Sequence, residues 1–297
     1  MKPFKSQYQR DLRENLKRGN LNFPLSAYIF EHEDYNNHVQ LHWHSEVELV
    51  HFHKGEFKYT LNMQEYQVKD EAIAFIPANM LHSFVLPRNS HESAIVFDPK
   101  ILCLNTQDEF ENELLECLYK GHCAIFTPIT PEDLDFKELS SAFNAILPLL
   151  KTDPDAISKL KIRGKLLEIF AILKSKNFFN SSFNDNTTLL NREERVKNIL
   201  DYISSHYQQA LTVESMSLKF GVSREYFCRF FKRHFKESFI DFLNDYRLTK
   251  AARDLILTTK NIENIALEYG YTNTGYFFRL FKKKYKVTPN AYRHLKK

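Results

Sequence analysis

An α+β chain is what the sequence predicts: an antiparallel β domain with a helical region, followed by an all-α domain of two helix-turn-helix units. Three observations predict it. Short apolar runs separated by turn-prone or charged stretches fill residues 25–97, helical apolar periods replace them from residue 108, and an eleven-residue segment recurs at an offset of 50 near the end. At 297 residues the chain is about twice a domain of ~100–150 residues, so two separate cores are expected. The 26 Phe and 15 Tyr against 7 Gly exclude a disordered or low-complexity chain and predict phenylalanine-rich cores.

The β region is carried by runs such as Leu25–Phe30, Val47–Phe52 and Ala72–Ile76, too short for helices and bounded by breakers. From 108 to 179 the spacing changes to three and four, as in Phe110, Leu114, Leu115, Leu118 and then Leu160, Leu166, Leu167, Ile169, Phe170, Leu173, with Pro128, Pro131 and Pro154 punctuating the helices. The stretch 177–191 is dominated by Asn, Ser, Thr and Asp, whose side chains compete for backbone hydrogen bonds. The expected division is therefore 1–107 for the β domain, 108–179 for the helical region, 180–191 for a linker and 192–297 for the C-terminal domain.

In that last part Tyr226-Phe-Cys-Arg-Phe-Phe-Lys-Arg-His-Phe-Lys236 returns as Tyr276-Phe-Phe-Arg-Leu-Phe-Lys-Lys-Lys-Tyr-Lys286, identical at six of eleven positions. On a helix Phe227, Phe230 and Phe231 share one side and Glu225, Cys228, Arg229 and Lys232 the other; Phe277, Leu280 and Phe281 repeat the buried side. Each copy follows a short amphipathic segment that ends in Gly221 or Gly270, and Ser223 or Thr272 is suited to cap the next helix. Small residues, Ser217 and Ala266, sit where the two helices of a unit must approach, as a helix-turn-helix requires. Between the units, 239–257 reads as one long helix that spaces them.

The net charge of +4 hides a division: residues 1–190 hold 20 Lys+Arg against 26 Asp+Glu, and residues 191–297 hold 21 against 11. A basic C-terminal part gains affinity for a polyanion by releasing condensed counterions. No stretch approaches the ~20 apolar residues of a membrane span, and residues 1–20 lack an apolar signal core, so a cytoplasmic location without membrane partners is expected. Cys103, Cys117, Cys123 and Cys228 lack metal-knuckle spacing and are expected to be reduced thiols.

The run Leu211-Thr-Val-Glu through Phe231-Lys232, with Tyr246-Arg247, Ala251, Ile262, Ile265-Ala266, Gly270-Tyr271, Tyr276-Phe277, Arg279, Phe281-Lys282, Pro289 and Tyr292-Arg293, resembles the AraC/XylS regulator family over about a hundred residues. The resemblance implies double-stranded promoter DNA, RNA polymerase and a second copy of the chain as partners. It also implies an activator controlled by a small effector, and no enzyme activity. The positions that would face bases are Glu225, Cys228 and Arg229 in the first unit and Thr274, Gly275, Phe278 and Arg279 in the second. Arg229 and Arg279 can bind guanine bidentately, Glu225 can accept from cytosine N4, and Thr274 or Phe278 can touch a thymine methyl. Gly275 stands where a polar residue is usual and offers no side chain. Ser223, Arg224, Lys232, Thr272, Asn273 and Lys282 suit phosphates, which set register without reading sequence. A merely solvated basic face would be the simpler account of one such helix, but two copies with matching exposed arginines argue against it.

In the first part, His42-x-His44-x3-Glu48-x6-Gly55 followed by Pro77-Ala-Asn-Met-Leu-His82 resembles the paired motifs of cupin barrels. Residues two apart in a strand share a face, so His42, His44, Glu46 and Glu48 fall together, with Trp43, Val47 and Leu49 opposite. The resemblance turns the polar face inward and brings His82 beside it. Asn79 stands where the second motif has glycine, and Leu86 where asparagine is common. The expectation is thus an effector pocket lined by His42, His44, Glu46, Glu48 and His82, carbohydrate as its ligand with Trp43 or Phe75 stacking on the ring, and no catalytic residue, metal or cofactor. A hydrogen-bonded polar layer without a ligand is the bland alternative. A metal-dependent cupin enzyme fused to a DNA-binding module is the rival from another class, and a constitutive DNA-binding protein the third reading.

Overall fold

The computed structural model describes residues 12, 14, 18–20, 22–32, 37–104, 108–120, 125, 127–175, 187–235 and 237–295. Among the described residues eight strands come first: β1 (Leu25–His32), β2 (Asn37–His42), β3 (Val47–Lys54), β4 (Glu56–Leu61), β5 (Gln64–Lys69), β6 (Ala72–Ile76), β7 (His82–Leu86) and β8 (Ser90–Phe97). They form two four-stranded sheets, β1-β8-β3-β6 and β2-β7-β4-β5, and every pairing is antiparallel. Asn62 and Met63, both left-handed, make the two-residue turn from β4 to β5.

The alternation along β3 decides where everything else goes. Even positions, Val50 and Phe52, point between the sheets into a core shared with Phe57, Tyr59, Ala74, Phe84 and Ala94. Odd positions, Val47 and Leu49, join Ile73, Phe75, Ile95 and Phe97 in a second core under the helices α1 (Glu109–Lys120), α2 (Phe136–Ile146) and α3 (Ala156–Ser175). Those helices supply Leu114, Leu139, Phe143, Ile162, Leu166 and Phe170 at three- and four-residue spacing. Phe75 meets Phe170 edge to face, so it looks toward the helices and is not available to stack on a ligand between the sheets.

Cys117 is disulfide-bonded, whereas Cys103 and Cys228 take no part in a disulfide. This corrects the all-reduced expectation, which rested on motif spacing; spacing says nothing about two sulfurs that the fold brings together. Among the described residues no helix is long and apolar enough to cross a membrane.

The chain divides into two compact units, Met1–Lys197 and Asn198–Lys297. Helix α4 (Thr187–His206) crosses that division, so the expected linker 180–191 is helical from Thr187 onward, and its first seven residues lie outside the described ones. The second unit continues with α5 (Val213–Lys219), α6 (Arg224–Phe235), α7 (Phe239–Leu257), α8 (Ile262–Glu268), α9 (Thr274–Tyr285) and α10 (Pro289–Leu295). Its repeat is legible in space. Ser217 and Ala266 are buried inside α5 and α8, and Phe227 with Phe231 and Phe277 with Phe281 are buried on α6 and α9. Leu280 is only half-buried, unlike its counterpart Phe230. Arg247 of α7 donates from Nε to Tyr207 O (2.7 Å) and from Nη2 to Gln209 O (2.6 Å), and Arg293 of α10 donates in the same way to Leu255 O and Lys260 O. Each guanidinium thus satisfies carbonyls at the chain reversal ahead of a helix-turn-helix, where no helical partner exists.

Candidate nucleic-acid interface and ligand site

Helix α6 starts where Ser223 Oγ accepts from Tyr226 N (3.1 Å). Its partner α9 starts at Asn273, whose Oδ1 accepts from Tyr276 N (2.9 Å). The cap of the second unit is therefore Asn273 and not Thr272; the offset of 50 that relates the units pairs Ser223 with Asn273. Glu225, Cys228, Arg229 and Lys232 are exposed along α6, as are Gly275, Arg279 and Lys282 along α9, while Thr274 and Phe278 are half-buried. Ser223, Arg224, Thr272 and Asn273 lie exposed at the two helix starts. Phe278 leans edge-on against Phe277, so only part of its ring is presented. The Arg279 guanidinium lies over the Tyr276 ring, which pre-orients it. Hydrogen bonds from the Glu225 amide and the Ser223 hydroxyl hold the Glu225 carboxyl below the usual carboxylate range, so reaching a cytosine would require exchanging those bonds.

The first unit gathers His42, His44, His82 and Glu48 as a buried cluster. The ring centroids lie 4.1 Å apart for His42 and His82, 5.0 Å for His44 and His82, and 5.7 Å for His42 and His44. Each imidazole has its Nδ1 on a backbone carbonyl: His42 on Gln40 (2.9 Å), His44 on Glu46 (3.0 Å) and His82 on Met80 (2.8 Å). A carbonyl only accepts, so each Nδ1 carries the proton, and in a neutral ring each Nε2 is a lone pair. His44 Nε2 and His82 Nε2 then face the Glu48 Oε2 at 3.4 and 3.3 Å.

Were all three rings neutral, their Nε2 lone pairs would meet the carboxylate with no donor among them, a set that one positive charge would complete. Burial lowers His82 and works against its supplying that charge as a proton. Burial also works against ionised Glu48, but hydrogen bonds from His44 and His82 outweigh it and hold the carboxyl well below its usual range. One ligand atom from each of His42, His44 and His82 lies within 4.8 Å of the others, so the donor set fits a divalent cation, with the three backbone carbonyls as the outer shell that fixes ring orientation.

Glu46 stands apart from the other expected pocket residues: it is half-buried at the edge, contributing its carbonyl to His44 and a carboxylate 3.7 Å from the same Nδ1. A residue the sequence did not flag takes part instead. Glu14 is pinned by its amide to Trp43 O and places Oε2 3.6 Å from His42 Nε2 and 2.8 Å from Arg18 Nη2, both side chains being buried. Phe84, from the core between the sheets, meets His82 edge to face, with Phe52 and Tyr59 behind it.

Two family models match the chain, an AraC-like ligand binding domain over residues 23–117 and a helix-turn-helix domain over residues 216–294. The "Uncharacterized HTH-type transcriptional regulator YdeC" of Bacillus subtilis is 23% identical over 292 residues, 96% of this chain and 97% of that protein. The transposon Tn10 TetD protein of Escherichia coli is 38% identical over 101 residues, 34% of this chain and 73% of that protein. Among solved structures, the C-terminal domain of AraT, a response regulator from Geobacillus stearothermophilus, is 39% identical, covering 34% of this chain and 84% of that one at a TM-score of 0.33.

Proposed function

Since the chain belongs to the AraC/XylS family of transcription regulators, with an N-terminal ligand-binding domain and a C-terminal DNA-binding one, we propose that it activates transcription by placing α6 and α9 in successive major grooves of one promoter site. The observation that carries this reading is the pair of equivalent helices with apolar faces buried and arginine-bearing faces exposed. Helix α7, which lies between the two in the chain, is at 19 residues about 28 Å long, a length comparable to the ~34 Å of one DNA turn. Arg229 and Arg279 read guanines, Glu225, Cys228, Thr274 and Phe278 make the remaining base contacts beside the bare backbone of Gly275, and Ser223, Arg224, Lys232, Thr272, Asn273 and Lys282 grip phosphates. RNA polymerase is the partner on the promoter, and the cytoplasm the place of action.

In the same reading the effector is a small hydroxylated molecule of carbohydrate type. It hydrogen-bonds to His42, His44, His82 and Glu48, with Glu46 at the rim, and stacks on Phe52, Tyr59 or Phe84 rather than on Phe75. The convergence of ligand atoms from His42, His44 and His82, the last two facing Glu48, favours a second reading of this pocket, in which those four side chains hold a divalent cation. A bound cation would supply the positive charge the acceptors lack. The helical region joins two copies; Ile157 and Leu160 of α3 are 65% and 70% exposed on the side away from the core.

Selection of bound duplexes from a random pool by the full chain tests the reading, run metal-stripped, with divalent cations and with a sugar panel. A long two-part motif whose enrichment changes with one addition supports regulator and effector together. No enriched motif under any condition overturns the regulator, and a stoichiometric cation with turnover would favour the enzyme reading.

A further inference from the structure

We propose that His51, His53 and Glu71 form a second divalent-cation site, on the opposite face of β3 from the His42–His44–His82 cluster. The strand itself separates the two. Glu48 belongs to the even positions of β3, whereas His51 and His53 continue the odd row that begins with Val47 and Leu49 and looks toward the helices. The third ligand, Glu71, comes from the turn between β5 and β6.

His51 Nε2 lies 3.0 Å from Glu71 Oε1, the His51 and His53 rings are 4.0 Å apart at 46°, and one ligand atom from each of the three residues lies within 4.8 Å of the others. Nitrogen and oxygen ligands of a tetrahedral ion stand about 3.3 Å apart, given metal–ligand distances of ~2.0–2.1 Å. Closing the shell therefore asks for movement of about an ångström. Glu71 can supply it, because its side chain is 43% exposed, and the same exposure is the ion's route in. The surroundings hold the imidazoles still: the Ser93 hydroxyl is 2.7 Å from His53 Nε2, His91 stacks on the His53 ring, and the Phe136 and Phe143 rings of α2 stand edge-on to His51. Two imidazoles and one carboxylate suit zinc-like borderline cations, and leave a fourth position for water. Because His51 carries two phenylalanines of α2, occupation would tie the β5–β6 turn and β3 to the helical region.

Zinc titration of the metal-stripped full chain by calorimetry tests this, comparing wild type, His53→Ala with Glu71→Gln, and His44→Ala with His82→Ala. The expected result is a zinc equivalent lost from the first double variant and kept by the second. Glu71→Gln alone, at a half-exposed position that leaves the fold intact, should weaken that equivalent more than about tenfold, and replacement by cobalt should give a visible tetrahedral band that the same variant loses. Unchanged zinc affinity and stoichiometry in Glu71→Gln overturns the proposal, as does loss of the only zinc equivalent with His44→Ala and His82→Ala; the latter outcome would leave the first pocket standing as a cation site.

Discussion

Arg229 and Arg279 occupy equivalent turns of α6 and α9, both exposed, and each helix carries an exposed lysine three residues on. Their chemistry separates two roles. A guanidinium that matches guanine O6 and N7 discriminates between bases, whereas an ammonium near the backbone does not. Arg229→Ala and Arg279→Ala should each lose about 1–3 kcal/mol of discrimination at one base pair, and Lys232→Ala should weaken all duplexes alike and lower the salt slope by about one. Competition binding against single-base variants reads both, and equal losses on random DNA for all three would sink the assignment. Glu237 titrates where no DNA is needed to see it: burial, then Asp245 and Asp241, push its carboxyl up to about 7, with Lys284 opposing. A folded pKa above the unfolded one means that its contribution is complete at low pH and lost as pH rises through about 7. Glu237→Gln should therefore match wild type only below the unfolded carboxyl's value of 4.5 and melt higher than wild type at pH 8; a Tm difference independent of pH would refute the shift. The candidate site residues were legible in the sequence to different degrees. His42, His44, Glu48 and His82 carry a motif, but Glu14 has no spacing relation to it and reaches His42 only because the chain near Leu12 hydrogen-bonds to Trp43.

Turns and caps show how far an element can be read from its letters. Gly221 and Gly270 end α5 and α8 in the same left-handed conformation, at φ +63° and +81°, yet their surroundings differ. A Cβ on Gly221 meets nothing within 4 Å, while one on Gly270 would stand 2.7 Å from Gln208 O and 2.9 Å from Arg247 Nη2. Gly221→Ala should cost only the left-handed penalty of about 1–2 kcal/mol. Gly270→Ala should cost more than that, because it also displaces the guanidinium that satisfies Tyr207 O and Gln209 O. Chemical denaturation of the two variants checks the order, and equal midpoints would show that the Arg247 bonds are dispensable. Both glycines announce a turn in sequence; only the packing of α7 tells them apart. The strands behave likewise. Period-two alternation divides β3 into two faces, but not until the helices are placed is it decided that Glu48 looks between the sheets and that Phe75 and His51 look away from them.

At the scale of the whole chain, an acidic first part and a basic last part are joined through a helix, and the proposed pairing of two copies falls to α3 of the first part. Ile157 and Leu160 lie on the exposed side of α3, and Gly164, one turn further, has no neighbouring atom within 4 Å of a Cβ position, so another backbone can approach closely there. The opposite side, Ile162, Leu166, Ile169 and Phe170, is already spent on the sheet. A second copy seated on the open stripe would tether two DNA-binding units to one another, converting the second binding event into an intramolecular one worth about 10²–10⁴ in avidity. Leu160→Asp sits in solvent in the single chain and should leave its melting temperature unchanged. It should instead yield a monomer in sedimentation, bind a duplex carrying one copy of the selected site as wild type does, and lose the extra affinity for a duplex carrying two. A variant that still sediments as a dimer would remove α3 from the seam, and one that is monomeric yet keeps the two-site affinity would show that pairing of the first unit contributes nothing to promoter choice.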